Sequence, residues 1–103
     1  MNYTPNRWVV LEVNNGSEVI NKVFAGWAGG YLDGDSWKLN SGNAAEQEFH
    51  DRWEFTGYSG SVYVCYKNMY GMSAYMTSVF SSWNRDIEQL DGSATIKILD
   101  KYT

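Results

Sequence analysis

The stretch of sequence that decides the fold is RWVVLEVNNGS, residues 7–17. Apolar side chains alternate along Arg7 to Asn14 and place Val9, Leu11 and Val13 on one face, which is the period of two typical of a β-strand. Asn14-Asn15-Gly16-Ser17 follows, and these residue types favour the positive φ angles of a tight turn. The sequence therefore predicts an antiparallel hairpin whose second strand runs from about Glu18 to Ala25.

The same alternation returns further along the chain. Arg52 to Tyr58 predicts a third strand, Ser59-Gly60 a turn, and Val62 to Lys67 a fourth strand that pairs with the third. Ala94 to Leu99 alternates apolar and polar residues in the same way and predicts a final strand. The polar segment between the two hairpins predicts only one helical turn, over Ala44 to Glu48.

A helix is predicted after Ser73, where the apolar period changes from two to between three and four. Ser73 is a suitable N-cap residue, and Asp91-Gly92 supplies the residues that commonly end a helix. The positions that form the apolar stripe are Met76, Val79, Phe80, Trp83, Ile87 and Leu90.

These elements predict one α+β domain over residues 1–103, in the order β-β-β-β-α-β. An antiparallel sheet of about five strands packs one face on the single long helix. Because only one helix is available, the opposite face of the sheet is predicted to be bare, so that it meets water, loops or a partner. Pairing of two such faces predicts a possible homodimer.

Composition excludes several classes of function. The 103 residues carry a net charge of −4 with the basic residues scattered singly, which argues against binding to a nucleic-acid backbone. A single cysteine excludes an internal disulfide and a cysteine-cluster metal site. The sequence contains neither a secretory signal nor an apolar stretch of 18 residues, so we expect a cytoplasmic protein without a membrane span.

Catalytic constellations are weak in this sequence. His50 is the sole histidine, so it alone could act as an imidazole base for Cys65, or for one of the serines Ser36, Ser59 and Ser61. Asp33-Gly34-Asp35 resembles the opening of a calcium loop, but the later ligands do not follow in register. Twelve acidic residues offer pairs of carboxylates for glycosidic chemistry, but the sequence gives no separation between them. We therefore favour a protein that is not an enzyme and that needs no metal and no cofactor.

The unusual feature is a surplus of aromatic residues, 5 Trp, 8 Tyr and 4 Phe. Three of them lie among four glycines in residues 26–37, where rings can stack on a flat base, glycine amides can hold phosphate oxygens and Asp can accept from hydroxyls or amines. The alternative is that these rings fill the core. The predicted ligand-binding residues are Trp27, Gly29, Gly30, Tyr31, Asp33, Asp35, Ser36, Trp37 and Lys38. A predicted interface consists of Tyr58, Tyr63, Tyr66 and Tyr70, because tyrosine is favoured at interfaces.

The run W-x-G-G-Y-x-x-G-D-S-W-x-L-N-S-G, residues 27–42, resembles a group of small uncharacterised proteins encoded by tailed bacteriophages. The resemblance extends over residues 7–71 and includes FTGYSGSVY at 55–63 and Tyr70-Gly71. No activity or catalytic residue of that group carries over to this chain. The resemblance implies a viral accessory protein that acts in the cytoplasm of the host bacterium.

Two functions are compatible with this resemblance. Small phage proteins of this kind antagonise host defence either by sequestering a nucleotide messenger or by binding a defence protein. The ring-and-glycine segment favours the first, a protein that sequesters a small nucleotide-like signalling molecule. A bare aromatic sheet face would favour the second, an inhibitor that docks directly on a host nuclease, CRISPR or restriction complex.

Overall fold

The computed structural model describes residues 1–29, 34–89 and 93–103. Over these residues the chain is α+β, with eight strands in two four-stranded sheets and one α-helix. The strands are β1 (Asn2–Tyr3), β2 (Arg7–Asn14), β3 (Val19–Trp27), β4 (Ser36–Leu39), β5 (Asn43–Glu48), β6 (Arg52–Gly57), β7 (Val62–Tyr66) and β8 (Thr95–Leu99). The helix is α1 (Ala74–Glu88), and a short 3-10 turn covers Lys67–Met69.

The predicted single sheet is wrong, because the strands divide between two sheets. One sheet has the order β4-β3-β2-β8 and is called the central sheet here; the other has the order β1-β7-β6-β5 and is called the outer sheet. All pairs are antiparallel except β1 with β7. The two predicted hairpins are confirmed, and each lies in a different sheet.

Three layers result, with the central sheet in the middle. Its strand β2 is buried on both faces, since Trp8, Val9, Val10 and Leu11 are each no more than 2% exposed. Trp8 and Val10 pack with Phe55 and Cys65 of the outer sheet, whereas Val9 and Leu11 pack toward α1. The expectation of a bare face opposite the helix is therefore wrong, because the outer sheet covers it.

The helix begins where the sequence predicts. The Ser73 hydroxyl accepts a hydrogen bond from the Met76 amide at 3.2 Å, which confirms Ser73 as the N-cap. Met76 is fully buried and lies against Gly26 of β3, where an added Cβ would overlap the Met76 sulfur. Glycine at this position lets the helix approach the central sheet. The predicted helix stop at Asp91-Gly92 lies outside the described residues.

The predicted helical turn at Ala44 to Glu48 is wrong, because Asn43–Glu48 forms the edge strand β5. The chain reaches β5 from the central sheet through Asn40, which is 5% exposed. The Asn40 side-chain oxygen accepts hydrogen bonds from the backbone amides of Val23 at 2.9 Å and Gly42 at 3.2 Å. The Asn40 side-chain nitrogen donates to the side-chain oxygen of Asn43 at 2.7 Å. Asn40 thus continues the pairing with β3 through its side chain while the backbone turns into the other sheet.

Tyr102 packs into the space between the sheets. Its ring is 1% exposed and lies edge-on to Trp53 and Phe55, at centroid distances of 4.9 and 5.5 Å. Its hydroxyl donates to the Glu46 carboxylate, whose two oxygens lie at 2.7 and 2.9 Å. A residue that follows the last strand therefore joins the inner face of the outer sheet.

Candidate functional site

An open cleft lies where the edge of the central sheet meets the N-terminal strand of the outer sheet. Its volume is about 330 Å³, and it is lined by Tyr3, Trp27, Ser36, Trp37 and Lys38. Four of these five residues belong to the predicted ligand-binding set, and Tyr3 does not. The structure therefore brings part of the predicted set together around a residue that the sequence did not single out.

Aromatic rings and one cation form the wall of this cleft. The Tyr3 ring lies edge-on to Trp27 with centroids 6.2 Å apart, and the Lys38 ammonium lies 5.3 Å from the centre of the Tyr3 ring. The Trp27 indole N–H donates to the Thr4 carbonyl at 3.0 Å, which orients the ring. No carboxylate among the described residues forms an ion pair with Lys38. Within the described ranges, the Tyr3 ring is the group that the ammonium contacts.

The register of β3 with β4 divides the predicted aromatic set between two faces. Trp27 lies opposite Ser36, and Gly26 lies opposite Trp37, so the side chains of Trp27 and Trp37 leave the sheet in opposite directions. Trp37 borders the cleft, but its ring packs on the helix side against Phe24 and Trp83, at 6.0 and 5.0 Å. The prediction that Trp27 and Trp37 stack together on one ligand is therefore wrong.

Gly29 and Gly34 lie in close contact. The Gly29 amide donates to the Asp35 carboxylate at 2.9 Å, and a Cβ on Gly29 would overlap the Gly34 carbonyl. Gly29 and Asp35 thus hold the ends of the loop together, and the Gly29 amide is not free to bind phosphate as predicted. Gly30, Tyr31 and Asp33 of the predicted set lie outside the described residues.

The N-terminal segment contributes Tyr3, the cleft residue that was not predicted from the sequence. The Asn6 amide donates to the Gly26 carbonyl at 2.9 Å, and the Asn6 side chain accepts from the Ala28 amide at 2.7 Å. These bonds hold residues 1–6 along the end of β3 and so bring Tyr3 over Lys38. The signal was weak, because a strand of two residues shows no periodicity; the only indication was an aromatic residue close to a proline.

The four tyrosines of the predicted interface do not form one surface. Tyr58 and Tyr66 are 67% and 36% exposed, but Tyr63 is buried at 3% between the sheets. Tyr70 is half-buried, and its hydroxyl donates to the Leu99 carbonyl at 2.8 Å. The interface prediction is therefore wrong for Tyr63 and Tyr70, whose inward orientation follows from packing that local alternation does not reveal.

The outward face of the outer sheet is mostly polar and aliphatic. Phe55 and Tyr63 point inward, so alternation turns Glu54, Thr56 and Val62 outward. Arg52 donates to Glu54 at 2.8 Å on this face. Tyr66, opposite Arg52, is the one aromatic side chain that alternation turns outward on β6 and β7. The described part of the outer sheet therefore does not present the broad aromatic face on which direct docking to a defence protein was predicted.

The positions of His50 and Cys65 do not support the alternative of a Cys–His enzyme. His50 is exposed in the turn between β5 and β6, whereas Cys65 is fully buried on the inner face of β7. Burial raises the pKa of the Cys65 thiol well above its ordinary value, so the reactive thiolate is disfavoured. In the described ranges no three metal-ligating side chains converge, and no helix there has the length and apolarity to cross a membrane.

The buried ionisable groups predict how stability depends on pH. Burial raises the pKa of Cys65, and burial followed by the bond to Glu46 raises the pKa of Tyr102. Above about pH 8.5 for cysteine and about pH 10 for tyrosine, the unfolded chain loses protons that the folded chain keeps. The free energy of unfolding should therefore fall as the pH rises above about 8.5.

Urea unfolding followed by circular dichroism between pH 7 and pH 10.5 checks this expectation. The variant Cys65→Ala should unfold at lower urea at neutral pH but should show a smaller further loss between about pH 8.5 and 10. A midpoint for the parent protein that stays constant to pH 10.5 would contradict the assignment.

The fold and the cleft together define a small three-layer α+β protein with an open aromatic site at a sheet edge. Comparison with models of protein families, with curated proteins and with solved structures finds no match for this chain.

Proposed function

We propose that this is a phage-encoded binding protein, not an enzyme, that counters host defence in the bacterial cytoplasm by sequestering a small nucleotide-like signalling molecule. The observation that carries the proposal is the Lys38 ammonium, which lies over Tyr3 and beside Trp27 in an open cleft. The phage origin and the role in defence rest on the resemblance of residues 27–42. The binding chemistry rests on the cleft.

The ligand is planar and anionic in this proposal. Tyr3 and Trp27 offer ring surface on which a base can stack, and such stacking tolerates any base because every base has a flat face. Lys38 has no competing carboxylate among the described residues, so a phosphate oxygen is a suitable counter-ion. The Ser36 hydroxyl borders the same cleft and can donate a hydrogen bond to that phosphate.

Calorimetric titration with a panel of cyclic nucleotides and ADP-ribose derivatives tests the proposal. We expect at least one member to bind in the micromolar range. Replacing Lys38 by glutamine should weaken that binding by about 10- to 100-fold, because a hydrogen bond to a charged group contributes about 1.5–3 kcal/mol. Tyr3→Leu should weaken it as well, through the loss of ring surface.

The chain offers matched controls for both substitutions. Lys101 lies 5.2 Å from the centre of the Tyr102 ring, a similar lysine–tyrosine contact outside the cleft lining, so Lys101→Gln should leave binding unchanged. Tyr58→Leu removes an exposed tyrosine that does not line the cleft. The proposal fails if no compound binds below about 100 μM, about 5.5 kcal/mol, or if Lys101→Gln weakens binding as much as Lys38→Gln.

A further inference from the structure

The Tyr3 ring lies between a buried ring and an exposed ammonium group. Tyr3 is the register partner of Tyr63 in the pairing of β1 with β7, and the two rings lie 5.0 Å apart with a tilt of 31°. Tyr63 is 3% exposed, so it covers Tyr3 from the interior of the protein. The Lys38 ammonium lies over the Tyr3 ring and lines the open cleft. The face of Tyr3 that a ligand can reach is therefore the face that Lys38 covers.

The strand register directs Lys38 toward this ring. Lys38 lies opposite Ala25, which is fully buried between the two sheets, so both side chains leave the central sheet toward the outer sheet. Lys38 is an exposed residue, and a lysine ammonium stands on a flexible four-carbon stem. No carboxylate among the described residues holds it in an ion pair. The ammonium can therefore leave the ring when a stronger partner arrives.

We propose that Lys38 makes the cleft selective for a phosphorylated ligand over the same base without a phosphate, and this inference rests on the proposed function. A base can stack on Tyr3 only after the ammonium leaves the ring. A phosphate on the ligand then gives the ammonium an anionic partner, so the contact with the ring is exchanged for a stronger one. A neutral nucleoside offers no such partner, and its binding loses the contact without replacement.

The magnitudes of the three interactions favour this exchange. A cation–ring contact at an exposed site contributes about two- to fivefold to an equilibrium constant. Stacking of one base contributes about 5- to 150-fold, and a hydrogen bond to a charged group about 10- to 150-fold. A nucleotide therefore displaces the ammonium from Tyr3 with a large net gain. A nucleoside has stacking alone, from which the lost contact is subtracted.

Lys38→Gln should shift the affinities for cyclic AMP and adenosine in opposite directions. Cyclic AMP should bind about tenfold more weakly or worse, because the bond to phosphate is lost. Adenosine should bind about two- to fivefold more tightly, because the ring is no longer covered by a cation. Calorimetry measures cyclic AMP, and a nuclear magnetic resonance titration measures the weaker binding of adenosine. If Lys38→Gln binds adenosine no more tightly than the parent does, the inference is overturned.

Two control variants separate the charge of Lys38 from its packing. Lys38→Arg keeps a cation that can contact a ring and bind phosphate, so it should retain the parent's preference for cyclic AMP. Lys101→Gln removes the lysine that contacts Tyr102 outside the cleft lining, and should leave both affinities unchanged. Loss of the preference in Lys38→Arg to the same extent as in Lys38→Gln would contradict a role for the charge.

A measurement on the parent protein keeps the test decisive if Lys38→Gln folds poorly. In the free protein the Tyr3 ring should shift the resonance of the Lys38 methylene group next to the ammonium. Saturating cyclic AMP should remove that shift, because the ammonium leaves the ring. A Lys38 resonance that stays in place at saturation would overturn the exchange.

The outcomes separate this inference from the proposed function. If the parent binds cyclic AMP and Lys38→Gln weakens both ligands alike, the inference fails and the proposed function stands. If the parent binds no cyclic nucleotide, the proposed function fails. Adenosine binding that then appeared only in Lys38→Gln would still support Lys38 as the group that covers the ring against neutral bases.

Discussion

Replacing Tyr102 by alanine is expected to lower the free energy of unfolding by about 3–5 kcal/mol, the usual range for removal of a buried large aromatic side chain. The ring is 1% exposed and contacts Trp53 and Phe55 edge-on. Its loss leaves a cavity between the sheets and leaves Glu46 without the hydroxyl that it accepts from. Urea unfolding followed by tryptophan fluorescence measures the change.

Two controls separate the ring from its hydroxyl and from its position in the chain. Tyr102→Phe keeps the ring and removes one hydrogen bond, so we expect a loss of about 1 kcal/mol. Lys101→Ala changes an exposed neighbour and should cost less than about 0.5 kcal/mol. If Tyr102→Ala were no more destabilising than Lys101→Ala, Tyr102 would not lie between the two sheets.

Replacing Asn40 by alanine is expected to lower the free energy of unfolding by about 2–4 kcal/mol. Its side-chain oxygen accepts from the amides of Val23 and Gly42, and an unsatisfied buried amide costs about 1–3 kcal/mol. Both amides lose their acceptor at once in this variant. Thermal and urea unfolding monitored by circular dichroism provide the measurement.

The matched control for Asn40 is the same substitution in the helix. Among the residues that the structure describes, the Asn84 side chain makes one hydrogen bond, to the Phe80 carbonyl at 3.3 Å, and Asn84 is half-buried. Asn84→Ala should therefore change stability by less than about 1 kcal/mol, since alanine is also the better helix former. Equal losses for the two variants would mean that Asn40 does not hold the crossing between the sheets.

The elements with strong local patterns could be predicted from the sequence, whereas the division into layers could not. The hairpin of β2 and β3 follows from alternation and from Gly16, whose φ of +95° the turn requires. The apolar run Trp8-Val9-Val10-Leu11 was the available sign of a strand buried on both faces. Interpreting this run as simple alternation predicted a sheet with one covered face. The second sheet, which covers the other face, was therefore not predicted.

β5 was missed for a different physical reason. Alanine, glutamate and glutamine favour helix, and the strand at Asn43–Glu48 forms only because it pairs with β6. Such edge pairing is a tertiary effect that outweighs local propensity. The crossing at Asn40 depends on the same long-range pairing, so its buried side chain carried no signal in the sequence.

The candidate site was predicted in composition but not in geometry. Trp27, Ser36, Trp37 and Lys38 do border one cleft, but the β3–β4 register decides which rings share a face, and register cannot be read from a glycine-rich segment. Tyr3 reaches the cleft only because Asn6 holds the N-terminal segment along β3. Both features depend on contacts between residues that are distant in the sequence.

The most direct test of the binding cleft is a nuclear magnetic resonance titration that follows the indole N–H signals of the five tryptophans. Addition of the nucleotide that binds best in calorimetry should shift the Trp27 signal, because that ring lines the cleft. The Trp8 signal should stay in place, since its ring is fully buried and its N–H is bonded to the Tyr66 carbonyl at 2.7 Å. An unmoved Trp27 signal at saturating nucleotide would contradict nucleotide binding in this cleft.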